Sequence, residues 1–339
     1  MALKIGSTSI TKLYKGAIEV TKLYLGNVLV YTSSLYNAIT TAYNTRALAD
    51  SYTVESLPCV DSITDAFSST PVLAMIPSGF KTSNSASILP NDGTGDFTVV
   101  RNSSKRRVNS SGLIETLGVN VIAPDYTDAG CPVIKIEPQS TNKIIYSNSF
   151  SNWNAFGGCV IQGGFLSPDG TNSATKLSGG AGGLNIIYSS TSANPDTRSI
   201  WARTVSGTGT ANLCAHQSNT NGLFTITTTW QRFDIRYYNT SAQSQFYVVD
   251  FRGAGTLSEL IIWEAQAEAI NGDAPTSNIT TGNGTATRFA DVVSVNTASI
   301  TGTITSITET IDGVDQTPIT TIPANYTMPV GNINKIIME

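Results

Sequence analysis

Charge is scarce in this chain. Only 13% of its 339 residues are Asp, Glu, Lys or Arg, against roughly 25% in ordinary soluble domains. The net charge is −4, so the sequence lacks the basic excess that marks a nucleic-acid footprint. Its one dense basic cluster, Lys105-Arg106-Arg107, reads as a solvated turn. No apolar run approaches the roughly 18 residues of a membrane span. Met1-Ala2-Leu3-Lys4 turns polar too early for an export signal. The cysteines at 59, 131, 159 and 214 lack CxxC spacing, which argues against a zinc or thioredoxin-type site. They are expected to be reduced, with no disulfide, in a protein made in a cytoplasm.

Ser, Thr, Asn and Gly fill the place of charge, a composition that suits strands joined by many turns. Glycine recurs at 6, 16 and 26, and Thr11-Lys12-Leu13-Tyr14 returns as Thr21-Lys22-Leu23-Tyr24. Each ten-residue unit has room for one short strand and a turn. Residues 3–32 therefore predict two or three strands in a small meander. Thirty residues cannot bury a core alone, so Leu13, Tyr14, Leu23, Tyr24, Val30 and Tyr31 are candidate assembly contacts. The competing use is a small extension packed on the chain's own body.

Residues 34–50 have helical spacing of Leu35, Ile39, Ala42, Tyr43 and Leu48 and predict one short helix. Val72–Ile76 reads as a buried strand and residues 78–95 as loop. Strands are expected within 96–101, 112–122 and 132–137. From 143 to 293 the pattern is all-β. Phe233, Ile235 and Tyr237 alternate with Arg232, Asp234 and Arg236, and apolar runs stand at 246–249 and 260–263. This density of strands predicts an antiparallel sandwich or jelly roll. Asp312-Gly313 marks a hairpin, and Ile333 and Ile336–Met338 a last strand. The fold class is mainly β, in four pieces: a β-repeat anchor (1–32), a connecting segment with the helix (33–142), the sandwich (143–293) and C-terminal β strands (294–339).

Catalytic signatures are missing. His216 stands alone, and no nucleophile motif or clustered acid pair appears. Glu259, Glu264 and Glu268, with Asp250 on a neighbouring strand, are the nearest approach to a glycosidase pair. Their spacing selects none, so no enzyme activity and no cofactor are expected. Asp92–Asp96 and Asp169–Asn172 have oxygen ligands in reach of calcium, yet turn chemistry accounts for both equally well. Saccharide binding would use an aromatic face beside polar groups. Trp201, Tyr237, Tyr238 and Asn239 are the candidates, with core or inter-subunit packing as the competing use. Trp230 and Trp263 sit in apolar contexts and read as core.

Three stretches carry a resemblance. The first is Val20–Tyr31. The second runs from Leu89 to Trp153, with landmarks Leu89–Phe97, Arg101, Arg107-Val108-Asn109, Gly112–Glu115, Pro124-Asp125-Tyr126, Glu137-Pro138-Gln139, Thr141-Asn142 and Tyr146-Ser147. The third joins Ser199–Arg203, Thr229–Phe233, Ala265–Glu268 and Pro275–Ser277. In this order they resemble virion proteins of tailed bacteriophages infecting Bacteroidetes, including crAss-like phages, with a carbohydrate-binding-module-like jelly roll. The resemblance implies a head or tail fibre subunit, or a capsid decoration, assembled in the host cytoplasm. Its partners would be other virion proteins and its own copies, by default in a homotrimer, with weak adhesion to host glycan. A dedicated receptor-binding tail protein is the alternative, and a polysaccharide-degrading tailspike a further one.

Overall fold

The computed structural model describes residues 71–81, 84–90, 92–127, 131–179, 186–190, 197–215, 222–236, 245–270 and 273–339, together with the backbone of short strands between 4 and 54. All strand pairings within it are antiparallel, and only short 3-10 turns interrupt the β structure. The helix expected at 34–50 lies outside the described residues, as do His216, Tyr237, Tyr238 and Asn239.

The N-terminal repeat forms three separate hairpins rather than a meander of two or three strands. Lys4–Ile5 pairs with Thr8–Ser9, Leu13–Lys15 with Ile18–Val20, and Lys22–Leu25 with Val28–Thr32. Ile5↔Thr8, Lys15↔Ile18 and Leu25↔Val28 each leave two residues between them, and the first of the two is Gly6, Gly16 or Gly26. The second and third hairpins therefore draw their strands from two successive units.

Residues 294–339 are not a separate piece. Gly331–Met338 pairs with Val133–Ile136, with Leu73–Lys81 and with Ile307–Ile311, and Phe97–Val100 pairs with Val292–Asn296. One eleven-stranded sheet therefore joins the connecting segment to the chain's end. Its apolar core holds Leu73, Met75, Phe97, Val99, Ile134, Ile307, Ile333 and Ile336. Phe97 meets Tyr326 edge-on at 6.1 Å. The hairpin at Asp312-Gly313 forms as expected, with φ of 52° and 77° at its two central residues.

The loop expected at 78–95 is partly sheet. Leu73–Lys81 and Asn84–Leu89 pair as a hairpin. Ser85 and Ser87 are buried, where their hydroxyls donate to the Gly79 and Gly95 carbonyls. Small polar side chains that satisfy themselves locally conceal a buried strand from pattern reading. Pro77 falls where the register slips between Met75 and Phe80, a place where a missing N–H costs the ladder nothing.

The sandwich comprises two five-stranded sheets. One runs Asn154–Phe156, Ile186–Ser190, Gln245–Asp250, Gly209–Ala215, Leu223–Ile226; the other Val160–Phe165, Ala174–Ser178, Glu259–Glu268, Thr197–Arg203, Gln231–Arg236. Leu177, Ile200, Leu260 and Ile262 of the second sheet pack on Ile187, Leu213, Phe246 and Val248 of the first. Phe233 and Ile235 face this core, as their alternation predicts.

The outer face of the second sheet is covered as well. The hairpin of Lys105–Val108 and Ile114–Leu117 lies over it, and Ile114 and Val108 pack with Ala174, Ile261 and Trp263. Lys105-Arg106-Arg107 is therefore no solvated turn: Lys105 and Arg107 are buried and Arg106 nearly so.

Cys131 is disulfide-bonded, whereas Cys159 and Cys214 are free and Cys59 lies outside the described residues. The expectation of four thiols fails because bridging depends on separation in the fold, not along the chain. A disulfide consumes two thiols, so thiol titration of denatured, unreduced protein is expected to give two. A count of four would contradict the bridge.

Candidate functional site

Five buried ionic side chains join the eleven-stranded sheet to the sandwich. Asp291 receives Arg101 at 2.9 Å and Lys105 at 2.6 Å. Lys105 also reaches Glu137 at 3.0 Å, and Arg288 stands 3.8 Å from both Glu137 and Asp291. The two acidic residues bond to each other through the backbone: the Glu137 N–H donates to the Asp291 carboxylate and the Asp291 N–H to the Glu137 carbonyl. Arg101 gives three further donors to the carbonyls of Ser103, Gly118 and Val121.

Glu137 then crosses to the sandwich side, accepting from the Ser277 N–H at 2.7 Å and its hydroxyl at 2.5 Å. Burial alone would raise its pKa. The charges of Lys105, Lys135 and Arg288, with the Ser277 hydroxyl, hold it well below the usual carboxylate range. Asn142 makes a second lock. Its amide donates to the Ala265 and Ile279 carbonyls and its oxygen accepts from the Ile144 and Ala267 N–H groups, using its full capacity.

The carboxylates weighed as a catalytic pair are separated. Asp250 belongs to the other sheet of the sandwich, where it binds Arg252 at 2.6 Å, so it does not neighbour Glu264 or Glu268. Glu268 accepts from Ser140 and Thr276. Glu264 pairs with Arg106 at 2.7 Å and accepts from Thr280. Burial raises the Glu264 pKa against the pull of Arg106, Thr280 and Arg232.

Glu264 sits at a bulge. Ser199 pairs with Gln266 but Trp201 with Trp263, so Glu264 and Ala265 oppose one residue. Glu264 takes φ of 47° there, a conformation few non-glycine residues adopt. The extra residue shifts parity. Leu260, Ile262, Ala265 and Ala267 all stay in the core, while Trp263 and Glu264 both reach the Arg106 side chain.

Beside this junction a cleft of about 530 Å³ opens over the outer sheet face. Trp201, Arg232, Asp234 and Arg236 line it from the sheet, Arg106 and Arg107 from the hairpin, and Pro275, Ser277 and Asn278 from the segment after the last strand. Trp201 stands opposite Arg232 in register. It is half-buried, and its Nε1 donates to Asn278 Oδ1 at 2.9 Å. Arg232 donates to the Thr276 carbonyl and the Ser199 hydroxyl. Arg236 pairs with Asp234 at 2.7 Å.

Of the aromatic candidates, the structure thus places Trp201 at a cleft. Trp263 is fully buried under Arg106, with Nε1 on the Ser173 hydroxyl, and Trp230 is partly buried beneath Arg203. Pattern reading identified the Arg232-Asp234-Arg236 face but not Asn278 or Arg106, which reach the cleft from segments distant in sequence. Asp92 and Asp169 accept from the donors of their own turns, Thr94 in one case and Ser167 and Thr171 in the other. Among the described residues no group of three or more His, Cys, Asp or Glu side chains could hold a metal ion.

No family model matches this chain, and no curated protein does. Among solved structures it is similar to the CBM22-1 xylan-binding domain of Xyn10C from Paenibacillus barcinonensis, at 12% identity and a TM-score of 0.29, over 42% of this chain and 98% of that one. It is also similar to the CBM22-1-CBM22-2 tandem of that protein, at 10% identity and a TM-score of 0.28, over 60% and 90%. A third is the CBM22-1-GH10 part of Clostridium thermocellum Xyn10B complexed with xylohexaose, at 12% identity and 0.24, over 38% and 27%. The sandwich stands on its own strand registers, and these likenesses assign no residue within it.

Proposed function

We propose that the chain is a structural subunit of a bacteriophage particle, a fibre or appendage protein that displays a saccharide-adhering sandwich. One observation carries this reading. The landmarks of the phage-like segment are not scattered: Arg101, Arg107, Glu115, Asp125, Glu137 and Asn142 each hold the hairpin, the large sheet or the sandwich in place. A segment that makes such contacts is a rigid mount, the part a displayed module needs behind it.

In this reading the hairpins of residues 1–32 dock on another virion protein through Leu13, Tyr14, Leu23, Tyr24, Val30 and Tyr31, and copies associate as a trimer. The Trp201 cleft favours a second use, as a receptor-binding tail protein whose main work is glycan recognition. Both uses tolerate weak single sites, because many copies on one particle raise the effective concentration.

Deletion of residues 1–32 tests the anchor. The shortened protein is expected to keep its circular dichroism and thermal transition, yet to be missing from particles produced in its presence. Normal incorporation would refute the anchor, and so would loss of the folded sandwich.

A further inference from the structure

Arg232 lines the Trp201 cleft with its hydrogen bonding unfinished. Its two terminal nitrogens are used by a carbonyl and a hydroxyl. Among the described residues no carboxylate lies within ion-pair distance of it, and its Nε, shut off from water, has no acceptor. A second orphan donor faces the same cleft. The Trp201 Nε1–H can only donate, so it fixes Asn278 Oδ1 as its acceptor and leaves Asn278 Nδ2 without one. Buried donors without partners are uncommon and costly to the fold.

The surrounding charge has a sign. Five cationic side chains line the cleft, Arg106, Arg107, Lys135, Arg232 and Arg236, against the carboxylates of Asp125 and Asp234. Arg106, Arg107 and Arg236 are tied to Glu264, Glu115 and Asp234. Lys135 reaches Glu137 only at 3.6 Å. Arg232, next to the partly exposed ring of Trp201, feels Glu268, Glu137, Glu264 and Asp234 only at a distance and has none of them in contact.

From this we infer that the Trp201 cleft binds an acidic saccharide, with a sugar face on the Trp201 ring and the sugar carboxylate held by Arg232 and Asn278. The inference rests on the saccharide-adhesion reading above and narrows it to a ligand class. A planar guanidinium suits a carboxylate, which it can meet through two parallel bonds. A turn of the Arg232 side chain brings Nε to the cleft, and the carboxylate supplies the acceptors that both orphan donors lack. A flat ring beside a polar cluster is the surface on which the apolar face of a sugar rests.

The test is calorimetric titration of the full chain with acidic oligosaccharides, oligogalacturonate, hyaluronan oligomers and sialyl-oligosaccharides, each paired with its methyl ester. At least one acid is expected to bind about ten-fold or more tightly than its ester, the ratio one charge-assisted hydrogen bond supplies. Added salt should weaken the acid and leave the ester unchanged. Trp201→Ala and, independently, Arg232→Gln should each abolish the preference, with circular dichroism confirming the fold. If Arg232→Gln unfolds the chain, the salt dependence and Trp201→Ala still decide. Equal binding of acid and ester would overturn the acidic class and leave saccharide adhesion standing. Binding indifferent to Trp201→Ala would overturn the site. Failure of every acid and every ester would overturn the adhesion reading with it.

Discussion

Glu137→Gln is expected to destabilise the protein by about 3–5 kcal/mol near neutral pH, the cost of removing one partner from a buried ionic cluster. Lys105 and Arg288 are almost wholly buried, so they cannot recover solvation when Glu137 loses its charge. Replacing the whole cluster by apolar groups would cost far less, because the damage comes from the charge left behind. The effect also has a pH signature. The fold holds Glu137 below its unfolded value, which is about 4.3. Its stabilising contribution is therefore complete above that value. It is lost as the pH falls through the folded pKa, because the unfolded chain takes up the proton first. Urea unfolding of the wild type should weaken steeply below about pH 4, and the variant should show a shallower slope. Equal stabilities at neutral pH would mean that the cluster does not hold the mount.

Trp263→Ala should have a comparable effect for an apolar reason. The ring is fully buried beneath the hairpin that carries Arg106, and truncating a buried tryptophan costs about 3–5 kcal/mol. It also orphans the Ser173 hydroxyl partner and removes the surface on which the Arg106 guanidinium lies at 5.0 Å. Trp201→Ala, one strand away in register, removes a half-exposed ring and should cost under about 2 kcal/mol. Thermal unfolding of the two variants separates the structural tryptophan from the one at the cleft. A larger loss at Trp201 than at Trp263 would reverse these roles.

Sequence pattern was informative where the environment has one period. Arg232, Asp234 and Arg236 alternate with Phe233 and Ile235 because one face meets the core and the other the cleft. The Asp312-Gly313 hairpin was legible because its positive φ values select those residues. Pattern failed where the partner was far away in sequence. Nothing local in Lys105-Arg106-Arg107 shows that Asp291 and Glu264 will bury it. Nothing in residues 294–339 shows that their last strand pairs with Leu73–Lys81. The Glu264 bulge was hidden for another reason: a glutamate occupies a conformation that usually announces itself as glycine.

The candidate site was half legible. Trp201 stands out in the sequence by its ring and the cationic face by its alternation. The finding that gives the cleft its chemistry, a buried guanidinium nitrogen without an acceptor, depends on distances that no linear pattern encodes.

The most direct measurement is a density map of particles released by cells that produce the chain, with mass spectrometry to identify its peptides. Peptides of the chain are expected in purified particles, with density for both the eleven-stranded sheet and the sandwich. Residues 1–32 should lie against a different virion protein, and the Trp201 cleft should open outward to solvent. Absence of the chain from particles, or a particle in which that cleft is buried against the shell, would contradict it.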